Sequence, residues 1–191
     1  FHFMPGSLVS SGSIDVYALK KKLRDFKKNY DVVLIDSSPT LNSEILATML
    51  ASDELLVVTS PDYPTLSCTI RAIKLAKQRN TPITGLVLNK KKGKNFELSV
   101  KDIEELSDAP VLAVLPDTDK VLEALANATP AALYEPNHDL SVEYKKLAAC
   151  LIGEKYKDGR ISSQIKDLFS MGKVSKQDSN RAAVYKDRIR M

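Results

Sequence analysis

The stretch YDVVLIDSSPTLNSE, residues 30–44, decides the fold. Val32, Val33, Leu34 and Ile35 form an apolar run with no alternation, which predicts a strand over 31–36 covered on both faces, as in a parallel sheet. Asp36 closes the run. A carboxylate just past the carboxyl end of a buried strand stands where open α/β sheets hold their ligands. Ser37, Ser38, Pro39 and Thr40 break the strand and supply hydroxyls. On these residues alone the segment reads equally as a strand with an Asx-type turn and as the edge of a nucleotide site.

Outward from this stretch, apolar strands alternate with amphipathic helices. Phe1 to Met4 reads as a short strand stopped by Pro5-Gly6. Asp15 caps a helix through about Asn29, with Val16, Leu19, Leu23 and Phe26 on one face. Asn42 or Ser43 caps the next, with Ile45, Leu46, Met49 and Leu50 inward. Leu55 to Thr59 is a second buried strand, followed by a loop with Pro61 and Pro64 and a helix over 65–79. Ile83 to Leu88 is a third strand, ended by Asn89. The basic loop KKKGKN, 90–95, precedes a short helix from Ser99 to Leu106. Val111 to Leu115 is a fourth strand, closed by Pro116-Asp117. Asp119 caps a helix that turns Val121, Leu122, Leu125 and Ala126 inward, and Leu140 to Ile152 is the last helix before Gly153. This alternation predicts right-handed βαβ crossovers and a doubly wound, mostly parallel sheet.

The 191 residues suffice for one domain with a sizeable core, and 43% hydrophobic and 27% charged residues are ordinary for a globular protein. No apolar run approaches the roughly 18 residues of a membrane span. The start, FHFMPGSLVSSGS, lacks the basic and apolar regions of a signal peptide. Cys68 and Cys150 form no CxxC pair, which argues for reduced thiols and against an iron–sulfur carrier of the Mrp type. The net charge of +4 is uneven: residues 154–191 hold 10 Lys/Arg against 5 Asp/Glu, and residues 1–153 hold 18 against 19. The sequence therefore divides into a nearly neutral body, 1–153, and a basic tail, 154–191. Ile161, Ile165, Leu168 and Phe169 fall at helical spacing in the tail, and Arg181 to Met191 is a second amphipathic piece. Such segments can lie on a membrane surface, although packing on their own domain or staying disordered is commoner.

Asp36, Asn89 and Pro116-Asp117 all fall at strand ends on one presumed edge. An acid there can hold Mg²⁺ through water, and a side-chain amide can read an adenine edge. Each residue alone is more often turn punctuation. In this order and spacing, YDVVLIDSSP, LLVVTSPDYPTLSCTIRAIKLAKQ, ITGLVLNK and VLAVLPDTDKVLEALANATPAALYEPN resemble the later two-thirds of the MinD/ParA family of deviant Walker ATPases, its MinD branch above all.

The resemblance, over about residues 1–152, implies a P-loop NTPase fold that binds ATP or ADP with Mg²⁺ and forms an ATP-bound homodimer. It implies that Asp36 is the catalytic Walker B acid supporting Mg²⁺ and the attacking water, and that Ser37, Ser38, Pro39 and Thr40 belong to the γ-phosphate switch. Asn89 would read adenine, Pro116 and Asp117 would pack beside the base, and Ser60, Pro61 and Asp62 would border the site. A spatial regulator of cell division follows, cytoplasmic and peripheral at the inner face of the membrane through the tail, with a regulatory protein as partner. Phosphoryl transfer there rests on positioning and charge stabilisation. The alternatives are a ParA-like DNA-partitioning ATPase using Lys90, Lys91, Lys92 and Lys94 or the tail, and a non-catalytic module that keeps the fold.

The seven glycines never fall in a G-x-x-x-x-G-K-[ST] pattern, so the family's P-loop is not among these residues. The expectation is therefore of a fragment or one piece of a split protein, inactive as an ATPase on its own. Thr40-Leu41-Asn42 also departs from the family's switch, where Gly often follows the Pro, and Lys90 stands where Arg is common.

Overall fold

The computed structural model describes residues 2–4, 16–37, 43–160 and 174–189. The chain divides into two compact units, Phe1–Asp53 and Glu54–Met191.

In the first unit, helix α1 (Val16–Phe26) packs on helix α2 (Ser43–Ala51). Leu19, Leu23 and Phe26 are the half-buried positions of α1, as their spacing predicts. Phe26 and His2 both meet the Tyr30 ring, at centroid distances of 6.3 and 5.4 Å. Residues 32–37 form no regular secondary structure, and Val32, Val33 and Leu34 are 53%, 37% and 87% exposed. The strand expected over 31–36 is thus corrected. β propensity expresses how well a residue fits a paired, covered surface, and no described residue of this unit supplies a neighbouring strand. Residues 2–4, also expected as strand, form none either.

The second unit carries a three-stranded parallel sheet in the order β1 (Leu55–Thr59), β2 (Ile83–Lys91), β3 (Val111–Pro116). Helix α3 (Tyr63–Gln78) links β1 to β2, and α4 (Val100–Ser107) links β2 to β3. Then come α5 (Lys120–Ala126), a short α6 (Ala131–Tyr134), α7 (Asp139–Ile152) and α8 (Lys176–Arg188). Asp62 starts α3 by accepting the Thr65 N–H at 2.8 Å, so Pro64 lies inside the first turn, where its missing N–H costs nothing. Ser99 and Asp102 form a reciprocal capping box on α4. His138 Nδ1 accepts the Leu140 N–H at 3.1 Å to start α7, and Gly153 ends it at φ +74°.

Leu86 and Leu88 of β2 join Leu66 and Ile73 of α3 and Ile103 of α4 in one buried cluster. Val87, facing the other way, joins Leu112, Leu115, Leu140 and Leu147 in a second. Helices therefore cover both faces at β2 and β3, the α/β arrangement of P-loop NTPases. β1 contributes nothing to the second cluster, and its Leu56 and Val58 are 37% and 59% exposed rather than buried as expected. Gly85 allows β2 and β3 to close: a Cβ there would stand 2.6 Å from Leu112 Cγ and 2.7 Å from the Pro110 oxygen.

Two helix readings also change. Asp119 precedes α5 in a helical conformation and makes no side-chain cap, while Thr118 Oγ1 accepts the Lys120 N–H at 3.3 Å. Ala124 is the buried residue of α5, whereas Leu122 and Leu125 are 65% and 68% exposed. The last helix starts at Lys176, five residues before the expected Arg181, because Ser175 caps it through the Asp178 N–H at 3.1 Å. The amphipathic stretch Ile161 to Phe169 lies outside the described residues.

Candidate functional site at the carboxyl edge of the sheet

The carboxyl ends of three parallel strands open on one side, and there a cleft of about 970 Å³ is found. Its walls are the loop after β1 (Ser60, Pro61, Asp62), the end of β2 with its following loop, and Pro116 to Asp119 with α5. Asn89, Pro116 and Asp117 all line it. Two sites far apart in sequence, Asn89 and Pro116-Asp117, thus converge, because parallel strands bring like ends together.

The local geometry at Asn89 has a specific cause. Leu88 pairs with Val114 and Lys91 with Pro116, so β2 holds one residue more than β3 between these pairs. The surplus is a β-bulge, a device that re-aims side chains next to sites. Lys90 adopts φ +56°, a left-handed conformation strained for a residue with a Cβ. Asn89 Oδ1 accepts the Lys90 N–H at 2.9 Å and holds the bulge. The Asp117 N–H donates to the Lys91 oxygen at 3.0 Å, joining the two strand ends.

Glu97 organises the basic loop. Its carboxylate accepts the Lys92 and Lys94 N–H groups, each at 2.8 Å, and stands 3.3 Å from Lys91 Nζ. Burial works to raise the Glu97 pKa, but the two main-chain donors and Lys91 outweigh it and hold it at about 2. Lys91 Nζ also donates to the Leu98 oxygen at 3.0 Å, and the Leu98 N–H donates to the Pro61 oxygen at 3.0 Å. The loop is thereby tied to the wall beyond β1. Lys92 stands 3.4 Å from Asp117. Lys91 is thus committed to the buried Glu97 carboxylate, while Lys90, Lys92 and Lys94 stay exposed, Lys92 paired with the partly exposed Asp117.

The cleft has an apolar rim that the sequence did not signal. Tyr63, Phe96, Leu122 and Leu125 line it and are 67%, 83%, 65% and 68% exposed. Tyr144 reaches it from α7, more than fifty positions after Asn89, with no local motif to announce it.

Asp36 and Ser37 are exposed and belong to the first unit. Ser38, Pro39 and Thr40 lie outside the described residues. Among the described residues no group of three or more His, Cys, Asp or Glu side chains is placed to hold a metal.

Residues 7–85 match a family described as an AAA domain. An uncharacterized ATP-binding protein of Methanocaldococcus jannaschii is 30% identical over 158 residues, 79% of this chain and 60% of that protein. The septum site-determining protein MinD of Bacillus subtilis is 25% identical over 141 residues, 71% of this chain and 52% of that protein. MinD from Pyrococcus horikoshii, solved with Mg-ADP, superposes with a TM-score of 0.65 at 27% identity, covering 70% of this chain and 55% of that one. The chain is thus similar in sequence and fold to MinD/ParA-type P-loop ATPases. It spans between half and three-fifths of the length of these relatives. The cleft gathers Asn89, Pro116 and Asp117, the strand-end positions singled out in the sequence.

Proposed function

We propose that this chain supplies the adenine-binding half of a MinD-type ATPase site, in a protein that acts in cell division or in positioning a cellular structure. The reading is carried by the convergence of Asn89 and Pro116-Asp117 on one cleft beyond the strand ends. The Asn89 carbonyl has a second lone pair beside the one used by Lys90, so it can accept from an exocyclic amine while its Nδ2 donates to a ring nitrogen. Pro116 offers an apolar edge against a base. Asp36 is assigned to Mg²⁺ support through water, and Ser37 to Thr40 to the response to the γ-phosphate. A single carboxylate suits Mg²⁺, which takes one or two carboxylates and fills its shell with water and phosphate.

An ATP-bound homodimer follows from the family reading, and the apolar rim of Tyr63, Phe96, Leu122 and Leu125 supports a protein partner at the same edge. Membrane attachment is assigned to Ile161 through Phe169. Among the described residues no helix is long and apolar enough to cross a membrane. Co-sedimentation with anionic liposomes, with and without the tail, tests the attachment.

The decisive experiment is equilibrium binding of a fluorescent adenine nucleotide to the chain, with adenosine, ADP and GDP as competitors. Adenosine should compete nearly as well as ADP, since no phosphate-cradling loop lies in these residues, and GDP should compete poorly. Asn89→Ala should weaken binding about tenfold or more, the effect of losing a buried base contact. Binding indifferent to Asn89, or to the identity of the base, would refute the assignment.

A further inference from the structure

β3 is the end strand of the described sheet, paired only with β2. Open strand edges present unpaired N–H and C=O groups that recruit other chains. In a parallel ladder alternate residues point these groups to opposite sides. Those of Val111 point away from β2, and side chains take them. The Val111 N–H donates to Glu104 Oε1 of α4 at 2.8 Å, and the Val111 oxygen accepts Asn180 Nδ2 of α8 at 2.8 Å. Asn180 Nδ2 also donates to Glu104 Oε1, which closes a three-residue ring over the edge.

The next residue of α8 anchors the helix. Arg181 is 7% exposed, and its Nη1 donates to the Leu112 oxygen at 2.7 Å and to Glu143 of α7 at 2.8 Å. Its Nη2 is bonded to Asp178. The Cys150 thiol donates to the Arg181 oxygen at 3.4 Å. Lys176 faces Glu104 at 3.7 Å, and Arg188 is paired with Glu54. Three cations of a stretch that looks like a free basic tail are thus bound to carboxylates of the folded unit.

We propose that residues 176–188 are a built-in cover for the β3 edge, blocking strand-to-strand association with a second copy of this chain. Asn180 occupies the position where a neighbouring strand would donate its N–H. Arg181 keeps the helix from leaving. This proposal is independent of what the cleft binds.

The test uses the full chain with Asn180→Ala and Arg181→Met, and Lys186→Ala as an exposed control. Hydrogen exchange of the α8 amides and solution mass against concentration are measured together. The α8 amides should exchange about tenfold faster in Asn180→Ala and faster still in Arg181→Met, the effect of losing two and then several docking hydrogen bonds. Both should show concentration-dependent self-association that the control lacks. Unchanged α8 exchange in Asn180→Ala would overturn the docking, and that variant stands even where Arg181→Met does not fold. Faster exchange with no gain in mass in either variant would overturn the blocking role.

Discussion

Replacing Gly85 by Ala is expected to loosen the whole second unit. The added methyl would lie 2.6 Å from Leu112 Cγ, 2.9 Å from Leu112 Cδ1 and 2.7 Å from the Pro110 oxygen. The leucine can rotate away at some cost, but the oxygen cannot: it accepts the Leu86 N–H at 2.8 Å, and Leu86 is the next residue of the same strand. Overpacking of this kind costs about 1–3 kcal/mol, and stretching the ladder bond adds about 1 kcal/mol. Against this, Ala restricts the unfolded chain and returns about 0.4–1 kcal/mol. The net loss is about 1–3.5 kcal/mol, read as a lower urea midpoint by circular dichroism at 222 nm, since the chain has no Trp. In a Leu112→Ala background two of the three close atoms vanish, so the same substitution should cost at least about 1 kcal/mol less. A Gly85→Ala variant as stable as the parent, or one whose cost is the same in both backgrounds, would refute the argument that β2 and β3 meet too closely for a side chain.

The Glu97 carboxylate has a folded pKa depressed from 4.5 to about 2, so its stabilisation of the basic loop is complete above about pH 4.5 and is lost as pH falls towards 2. The amide exchange of Lys92 and Lys94, followed by NMR from pH 6 downward, should rise in that window, and Glu97→Gln should flatten the dependence. Ser99→Ala removes the capping box of α4 and should destabilise by about 1 kcal/mol, measured by urea unfolding. Cys68 is exposed, whereas Cys150 is buried with its thiol pKa pushed up by that burial, so a thiol reagent at pH 8 should label one cysteine rapidly and the other only on unfolding.

The legible part of this fold is the part in which local pattern and tertiary setting agree. The runs at 55–59, 83–88 and 111–115 became the three strands, and the residues that stop them, Asn89 and Pro116-Asp117, became walls of one cleft. The run at 32–35 has the same composition and forms no strand, because apolar content states what could be paired and not whether a pair is at hand. Helical spacing likewise could not separate core from rim. Leu122 and Leu125 carry the signature of an inward face yet stand exposed at the cleft. Tyr144 and Phe96 reach the site only through the path of the chain, a property that no short window of sequence holds.

The surplus residue in β2 bears on how such a site can change. Side chains along a strand point left and right in turn. Removing Lys90 would do more than shorten a loop: Lys91, the last residue of β2, would exchange sides, and its linkage to Asp117 and Leu98 would be lost together. Substitutions can tune this pocket gradually, but the length of the strand is counted in whole residues, so an odd deletion there reverses the arrangement in one step.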